Sequence, residues 1–246
     1  MFDIGVPMTR LEARAVSRAF AGGVGVKRAS ITVDQGEVHA LVGLNGAGKT
    51  TLMRLMLGML WPDSGSVMID GVDVGAIASS GWAGVGHLVE TPFAYAELDT
   101  TSNLKMAARL RLTASSAVGD MVGAAVDEFG LASFANVRAG RLSLGNKQRL
   151  GVAAALQHNP GLIVLDEPTN ALDPAGVILV REAIRRRRNE GAAVLVSSHH
   201  LDEVTRVADR ISVMNRGSII GTLEPSTPDI ERAFFAAVLA DDETGA

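Results

Sequence analysis

The segment GLNGAGKT, Gly43 to Thr50, restricts the fold more than any other part of this sequence. It follows a short apolar run, Val38 to Val42, that predicts a buried β-strand. After it, apolar residues recur at helical spacing from Leu52 to Met59, and the proline-led turn WPDSG then breaks the helix. A strand that passes through a glycine-rich turn directly into a helix is typical of α/β folds. The sequence therefore predicts an α/β fold with this loop at one edge of its sheet.

The same segment fits the pattern G-x-x-x-x-G-K-[ST] in the context that the pattern requires. Glycines at 43, 46 and 48 let the loop turn sharply and aim backbone N–H groups at phosphate oxygens. Lys49 is expected to reach the β- and γ-phosphates of a nucleotide, and the hydroxyl of Thr50 is expected to bind Mg²⁺. The alternative is a glycine-rich turn without a ligand; the context favours a P-loop NTPase.

Composition limits what the rest of the chain does. Its 246 residues are 47% hydrophobic, enough for one large domain or for a core with an inserted lobe. A net charge of −4 and a pI near 5.7 lack the basic character of a nucleic-acid binder. The absence of cysteine suits a reducing cytoplasm, and no apolar run reaches the length of a signal peptide or a membrane span.

The sequence predicts an α/β core that is interrupted by a helical segment. Strand patterns before residue 90 give way to helical periodicity from about Glu97 to Gln157. In DMVGAAVDEFG, one helix face is apolar and Gly130 is placed to end the helix. The apolar runs LIVLDEP and AAVLVSSHH predict central parallel strands, joined by the crossover helix VILVREAIRRRR. We interpret its four successive arginines as a solvated helix surface.

Two strand ends carry further candidates. Asp166 and Glu167 close LIVLDEP, where open α/β sheets bind ligands, so Asp166 is a candidate Mg²⁺ partner and Glu167 a candidate to polarise water. Either acid alone would also serve as a helix cap. The histidines of SSHH are either phosphate contacts or an ordinary polar edge.

A second small-residue turn opens a helix in RLSLGNKQRLGVAAAL, Arg141 to Leu156. Ser143 offers a hydroxyl, Gly145 permits close approach of backbone N–H groups, and the helix that begins near Asn146 points its positive end toward an anion. The alternative is that Ser143 is an ordinary N-cap.

In this order, the phosphate loop, LSLGNKQ, LIVLDEP, NALD and SSHHLDE resemble the motifs of the ATP-binding subunit of an ABC transporter. The resemblance implies an ABC-type ATPase core with a mixed sheet and an inserted helical subdomain, in a single domain over 1–246. We expect the core at about 9–90 and 157–222, the helical subdomain at about 91–156 and a C-terminal tail helix at about 228–240.

The resemblance also implies roles for single residues. Glu167 matches the general base, His199 the switch histidine that contacts the γ-phosphate, and Asp173 of NALD the D-loop aspartate, whereas His200 is a bystander. Phe20 falls where relatives stack an aromatic on adenine, although it would equally fit in the core. The implied ATP-binding residues are Phe20, Gly43, Asn45, Gly46, Gly48, Lys49, Thr50 and Thr51.

In this family two subunits pack head to tail, and the signature of one contacts the ATP of the other; here Ser143, Gly145 and Asn146 would make that contact. The signature LSLGN departs from the usual LSGGQ at Leu144 and Asn146. A larger departure is Glu90, at the position of the Q-loop glutamine. Its carboxylate would ligate Mg²⁺ together with Thr50 and Asp166, and its charge predicts a steeper dependence of turnover on Mg²⁺.

LVETP, NLK and SLGNKQRLG resemble the branch that exports bacitracin-type and lantibiotic-type peptides. Exporters of drugs, lipids or other ABC-2-type cargo could carry the same residues, so a drug-like cargo is the alternative. The resemblance implies ATP and Mg²⁺ as cofactors and a polytopic membrane permease as partner, with the chain on the inner face of the cell membrane. It also implies a second cassette, expected to be a copy of this chain, and no nucleic acid. Two alternatives are a P-loop kinase, whose lid the helical lobe would mimic, and a cytosolic regulatory ABC ATPase.

Overall fold

A four-stranded antiparallel sheet begins the fold in the computed structural model, which describes residues 8–92 and 94–244. Its strands are β1 (Thr9–Ala19), β2 (Gly25–Asp34), β4 (Ser64–Ile69) and β5 (Val72–Asp73). Their order is β2-β1-β4-β5. β1 and β2 form an antiparallel hairpin that turns through residues 20–24.

A six-stranded sheet forms the centre of the molecule. Its strands are β3 (Val38–Val42), β6 (Val85–Leu88), β7 (Leu162–Leu165), β8 (Ala193–Ser198), β9 (Arg210–Asn215) and β10 (Ser218–Leu223). Their order is β10-β9-β3-β8-β7-β6, and every neighbouring pair is parallel except β9 and β10. The sheet is therefore mixed, which confirms the predicted fold class.

Helices cover this sheet and extend beyond it. They are α1 (Lys49–Met56), α2 (Thr100–Leu110), α3 (Val118–Glu128), α4 (Leu144–Leu156), α5 (Pro174–Asn189), α6 (Leu201–Val204) and α7 (Ile230–Thr244). α2, α3 and α4 pack against one another within the segment for which the sequence predicts a helical lobe. Among the described residues, no helix is both long and apolar enough to cross a bilayer.

Alternate residues of the central strands enter two different cores, because successive side chains of a strand point to opposite faces. Leu41, Leu162 and Leu195 pack with α1 and the antiparallel sheet. Their strand neighbours, such as Ala40 and Ile163, pack with the helices on the other face. β3, β7 and β8 are buried along their whole lengths, which explains their continuous apolar sequences.

The first helix is shorter than its apolar pattern predicts. α1 ends at Met56, and Gly58 with φ of +65° follows the Leu57 cap. The side chain of Met59 is 45% exposed, so its helical spacing from Leu52 does not place it in the core.

The interpretation of the arginine run as a solvated surface is wrong for one of its four members. Arg187 is 3% exposed and pairs with Glu128 at the end of α3, and its Nη2 donates to the carbonyl of Leu156 at 3.3 Å. Arg186 pairs with the same carboxylate, while Arg188 pairs with Asp209 at 2.6 Å. The run therefore joins α5 to its neighbours through ion pairs.

Parallel pairing brings three functional segments to one edge of the central sheet. In the β3–β8 ladder Val42 lies beside Ser198, and in the β7–β8 ladder Leu165 lies beside Val196. The segments that follow these strands begin at Gly43, Asp166 and His199. Ligands of open α/β sheets bind at this carboxyl edge.

Candidate functional site

The phosphate loop owes its shape to glycines that no other residue replaces easily. A Cβ at Gly43 would lie 2.4 Å from the carbonyl oxygen of Met214, and Gly48 has φ of +108°. Gly48 is the N-cap of α1 and contributes no side-chain cap. The first N–H groups of α1 therefore lack a side-chain acceptor and suit an anion. Asn45 and Gly46 are exposed at the tip of the loop.

The Lys49 side chain folds back over this loop. It is 6% exposed, and its Nζ donates to the carbonyl of Gly43 at 2.7 Å. The same ammonium lies 3.5 Å from Oε1 of Glu167. A buried cation is thus held between the loop and a carboxylate, at the place where the sequence predicts terminal phosphates. Thr51 is partly buried in the first turn of α1.

Thr50, Asp166 and Ser197 form a chain of hydrogen bonds beside Lys49. The Thr50 hydroxyl donates to Oδ2 of Asp166 at 2.6 Å, and the Ser197 hydroxyl donates to Oδ1 of Asp166 at 2.5 Å. Ser197 also accepts the backbone N–H of Glu167 at 2.9 Å. Asp166 is 4% exposed and both of its oxygens have partners.

The geometry fits the predicted magnesium site at two of its three residues. A hydroxyl and a carboxylate oxygen that lie 2.6 Å apart are hard oxygen donors of the kind Mg²⁺ prefers. Within 8–92 and 94–244, no three His, Asp or Glu side chains cluster so as to hold a metal. Mg²⁺ is usually bound by one or two carboxylates together with substrate phosphates, and Thr50 with Asp166 suits that arrangement.

Glu90, the third predicted metal ligand, faces a different partner. Its carboxylate pairs with Arg54 of α1 at 3.1 Å and is 48% exposed. Glu90 has φ of +66°, an unusual conformation for a residue other than glycine. The structure therefore joins Glu90 to the outer side of α1.

Glu167 and His199 meet directly. Nδ1 of His199 lies 2.8 Å from Oε2 of Glu167, and the other carboxylate oxygen faces Lys49. Glu167 has φ of +48°, and backbone strain of this kind is frequent at catalytic positions. The exposed His200 ring packs against His199 at a tilt of 43°, with the ring centroids 3.9 Å apart. A carboxylate between an ammonium and an imidazole is well placed to receive a proton from water.

Phe20 is not part of the core. It lies at the β1–β2 turn, is 41% exposed, and carries the Arg18 guanidinium 5.5 Å from its ring centroid. An exposed aromatic ring suits base stacking, the other alternative that the sequence leaves open. Val26, in contrast, is buried in the core beneath the antiparallel sheet.

The second turn opens α4 as an N-cap. The Ser143 hydroxyl accepts the backbone N–H of Asn146 at 3.2 Å, and α4 begins at Leu144, earlier than predicted. A Cβ at Gly145 would lie 2.7 Å from the carbonyl oxygen of Ala171, so this glycine is required where α4 meets the NALD loop. The side chain of Leu144 is 63% exposed.

Asp173 links the same loop to α4. Its Oδ1 accepts the N–H of Gly176 at 2.9 Å and pairs with Arg149. The N–H of Gly176, together with Arg149, holds the pKa of the Asp173 carboxyl below its usual range. Asp173 is thus the N-cap of α5 in addition to its place in the predicted D-loop.

Sequence reasoning missed two residues of the site. Ser197 bridges Asp166 and Glu167, and Gln148 of α4 donates to the backbone carbonyl of Glu167 at 3.2 Å. Ser197 lies next to the last residue of a buried strand, a position that marks it as a candidate once β7 and β8 are paired.

The site combines a strand, a phosphate loop and a helix with a buried lysine, and it lies beside a carboxylate at the end of a parallel strand. This combination defines a P-loop NTPase. Comparison with known proteins is more specific. The model of the ABC transporter family matches residues 26–170, more than half of the chain. The chain belongs to this family, as an ATP-binding subunit of a transporter that hydrolyses ATP.

Individual relatives agree with this assignment. The bacitracin transport ATP-binding protein BcrA of Enterococcus faecalis is 35% identical over 85% of this chain and 68% of its own length. The lantibiotic transport ATP-binding protein SrtF of Streptococcus pyogenes is 34% identical over 78% of this chain and 80% of its own.

Solved structures share the fold. An ATP-binding subunit of an ABC transporter superposes with a TM-score of 0.82 at 26% identity, over 94% of this chain and 95% of that chain. MJ0796, a bacterial ABC transporter cassette solved as a dimer, gives 0.80 at 20% identity, over 89% of this chain and all of that chain. The kinase alternative receives no support from these comparisons.

Proposed function

We propose that two copies of this chain close head to tail on two ATP molecules and that closure drives a separate polytopic membrane permease. Each ATP lies between the phosphate loop of one copy and the start of α4 in the other. ATP favours closure because it contacts both surfaces only in the closed state. The chain itself then lies on the cytoplasmic face of the membrane, held there by the permease.

The exposed start of α4 is the observation that carries this proposal. Ser143 and Leu144 face solvent, although the helix N-terminus is suited to an anion. Among the described residues, Lys49 and Asp166 of the same copy form no hydrogen bond with Ser143 or Leu144. A γ-phosphate supplied by a second copy would give this turn a ligand, and the fold is that of MJ0796, which was solved as a dimer.

The contacts of the catalytic side chains support a role for each of them. Glu167 accepts a proton from the attacking water, and His199 holds the Glu167 carboxylate in place and contacts the γ-phosphate. Lys49 and the loop N–H groups stabilise the charge on the transferred phosphoryl group. Thr50 and Asp166 would hold Mg²⁺, which would supply further charge stabilisation.

Glu90 exchanges partners in this proposal. Once nucleotide is bound, its carboxylate would leave Arg54 and help Thr50 and Asp166 to hold Mg²⁺. A Glu90→Gln variant should depend less steeply on Mg²⁺, since an amide adds no negative charge near the γ-phosphate. ATPase rates across a Mg²⁺ titration test this; a curve identical to wild type contradicts the role of Glu90.

The permease docks, in this proposal, in the groove beside Glu90. A cavity of about 500 Å³ runs from Val89 and Thr91 to Trp82 and the end of α2, where Leu110 is 72% exposed. The groove is lined largely by apolar side chains and lies next to the loop that contains Glu90. Such a groove suits a helix from the membrane partner.

Substitution in this groove separates docking from ATP binding. Leu110→Glu should abolish co-purification with the permease and leave ATP affinity unchanged. Leu239→Glu is the matched control, because Leu239 is 62% exposed on α7, outside the groove. Equal permease binding by both variants contradicts docking at this site.

The solution mass of Glu167→Gln, with and without Mg·ATP, tests the pairing of two copies. Loss of the general base should trap ATP and double the mass, and an added Ser143→Arg change should restore the monomer by filling the start of α4. A monomer in every condition, with ATP bound, contradicts self-pairing.

We infer that the cargo is a peptide antibiotic of the bacitracin or lantibiotic type. Similarity to BcrA and SrtF supports this inference. Cells that express the chain with its permease should tolerate higher bacitracin or lantibiotic concentrations, whereas cells with Glu167→Gln should not. Unchanged tolerance to both compounds contradicts the inferred cargo.

A further inference from the structure

Two side chains of the C-terminal helix α7 bind the tight turn between β9 and β10. Nδ2 of Asn215 donates to Oδ2 of Asp241 at 2.9 Å and to Oδ1 of Asp242 at 2.8 Å. The guanidinium of Arg216 adds an ion pair with Asp242 at 3.1 Å. Both hydrogens of one amide are thus shared between two adjacent carboxylates of α7, an arrangement we call the tail clamp.

The turn held by this clamp has a fixed shape. Arg216 and Gly217 have φ of +45° and +87°, the backbone signs of a type I′ hairpin turn. A Cβ at position 217 would lie 2.2 Å from the carbonyl oxygen of Gly25, so only glycine fits. The carbonyl of Gly217 also accepts the N–H of Lys27 at 2.7 Å. The turn is therefore wedged against the start of β2.

The other side of the turn supports the phosphate loop. The N–H of Gly217 donates to the carbonyl of Ala47 at 2.9 Å. Met214, just before the turn, sets its carbonyl oxygen against Gly43 and its Cε 2.9 Å from a Cβ built at Gly48. Gly43, Ala47 and Gly48 of the phosphate loop thus lie against residues 214–217.

Apolar contacts of its own hold α7 in place, independently of the tail clamp. Phe234 and Val238 are 5% and 4% exposed and belong to the core on the helical face of the central sheet. The same helix borders a cavity of about 290 Å³ together with Gly43, Leu44 and His199. The clamp consequently connects a firmly packed helix to a turn that contacts the nucleotide-binding loop.

We propose that Asn215, Asp241 and Asp242 are positioning residues for ATP binding, which act through the 215–217 turn on the phosphate loop. Asparagine suits the central position because one nitrogen supplies two N–H donors to two acceptors. An aspartate at 215 would instead bring three carboxylates together. The turn would then move away from α7, and the Ala47 carbonyl would lose its fixed donor.

Asn215→Asp is the direct test. The dissociation constant of MgADP, measured by calorimetry on the full chain, should rise about tenfold, which corresponds to about 1.4 kcal/mol. In the nucleotide-free protein, the N–H groups of the phosphate loop should exchange their hydrogens faster. At saturating ATP, kcat should stay within about twofold of wild type, because the loop contributes binding in both ground state and transition state.

An exchange of donors and acceptors provides the rescue. In Asn215→Asp/Asp241→Asn/Asp242→Asn, two amides on α7 donate to one carboxylate in the turn, and MgADP affinity should return to within about twofold of wild type. Glu243→Gln is the control for charge, since Glu243 is exposed on the same helix and neutralisation there should leave affinity unchanged.

Three results overturn the proposal: wild-type MgADP affinity in Asn215→Asp, no recovery in the triple variant, or an equal loss in Glu243→Gln. If Asn215→Asp does not fold, Asp242→Ala provides the same measurement, because it removes one acceptor and the partner of Arg216. Wild-type affinity in Asp242→Ala then overturns the proposal as well.

Discussion

Removal of the Ser197 hydroxyl should lower both the stability of the protein and its rate of ATP hydrolysis. It donates to the Asp166 carboxylate, accepts the N–H of Glu167, and is fully buried. Ser197→Ala leaves a buried N–H without an acceptor, at a cost of about 1–3 kcal/mol, and removes a hydrogen bond to a charged group worth about 1.5–3 kcal/mol. Because Asp166 keeps Thr50 as a partner, we expect a total loss in the lower part of the summed range, about 3 kcal/mol.

Catalysis should be affected through Glu167. Its peptide is held at φ of +48° by the Ser197 hydroxyl, and a carboxylate displaced by about 1 Å lowers the rate by up to about 100-fold. The phosphate loop and Lys49 are untouched, so the affinity for ATP should change little. The expected result is a fall in kcat of about 10- to 100-fold with a nearly constant KM.

Ser212→Ala is the matched control. Ser212 is 3% exposed on β9 and shares a hydrogen bond with His39 at 2.8 Å, away from Asp166 and Glu167. It should lose about 1–2 kcal/mol of unfolding free energy, as expected for one neutral hydrogen bond, and retain kcat. Urea unfolding and initial-rate phosphate release measure both quantities. A Ser197→Ala variant that keeps wild-type kcat would refute the positioning of Glu167 by this hydroxyl.

Two further predictions concern stability. The pKa of His39 is lowered from its unfolded value of 6.5 to about 4, mainly by burial; the hydrogen bond to the Thr32 carbonyl opposes this shift, and the charge of Arg210 adds a smaller lowering effect. As the pH falls, the unfolded chain therefore binds the proton first. The contribution of neutral His39 to stability is complete above pH 6.5 and is lost as the pH falls toward 4; the loss reaches about 2 kcal/mol at pH 5. Urea unfolding of His39→Gln should show a fall between pH 7 and pH 5 that is smaller by that amount, and an equal fall contradicts the assignment. Arg187→Met should cost about 3 kcal/mol because it breaks a buried pair, whereas Arg188→Met, at an exposed pair, should cost at most about 1 kcal/mol; equal losses in urea titrations contradict this difference.

Helix and strand identities could largely be predicted from sequence, because they depend on local periodicity. α3 shows this most clearly: Val122, Ala125, Val126 and Phe129 are all buried, and Gly130 follows the Phe129 cap with φ of +63°. The same reasoning extended α1 to Met59, because a helical pattern alone does not show where the backbone leaves the helix.

Contacts between residues far apart in the chain could be predicted less well from the sequence. Arg187 lies among three similar arginines, and only its tertiary contact with Glu128 at the end of α3 distinguishes it from the exposed members of the run. Ser197 looks like the polar end of any strand until β7 and β8 are paired. Glu90 matches a family position, yet its contact with Arg54 depends on where the chain leaves β6.

By itself, the sequence determined the phosphate loop, because glycine spacing, lysine and threonine in GLNGAGKT satisfy a local backbone geometry. It also determined the order of motifs that places the chain in its family. Only the tertiary structure decided which distant groups complete the site: the Glu167–His199 contact, the Ser197 bridge and the tail clamp on Asn215. Local geometry depends on neighbours in the chain, whereas these contacts join residues that come together only when parallel strands align their carboxyl ends and α7 packs beside them.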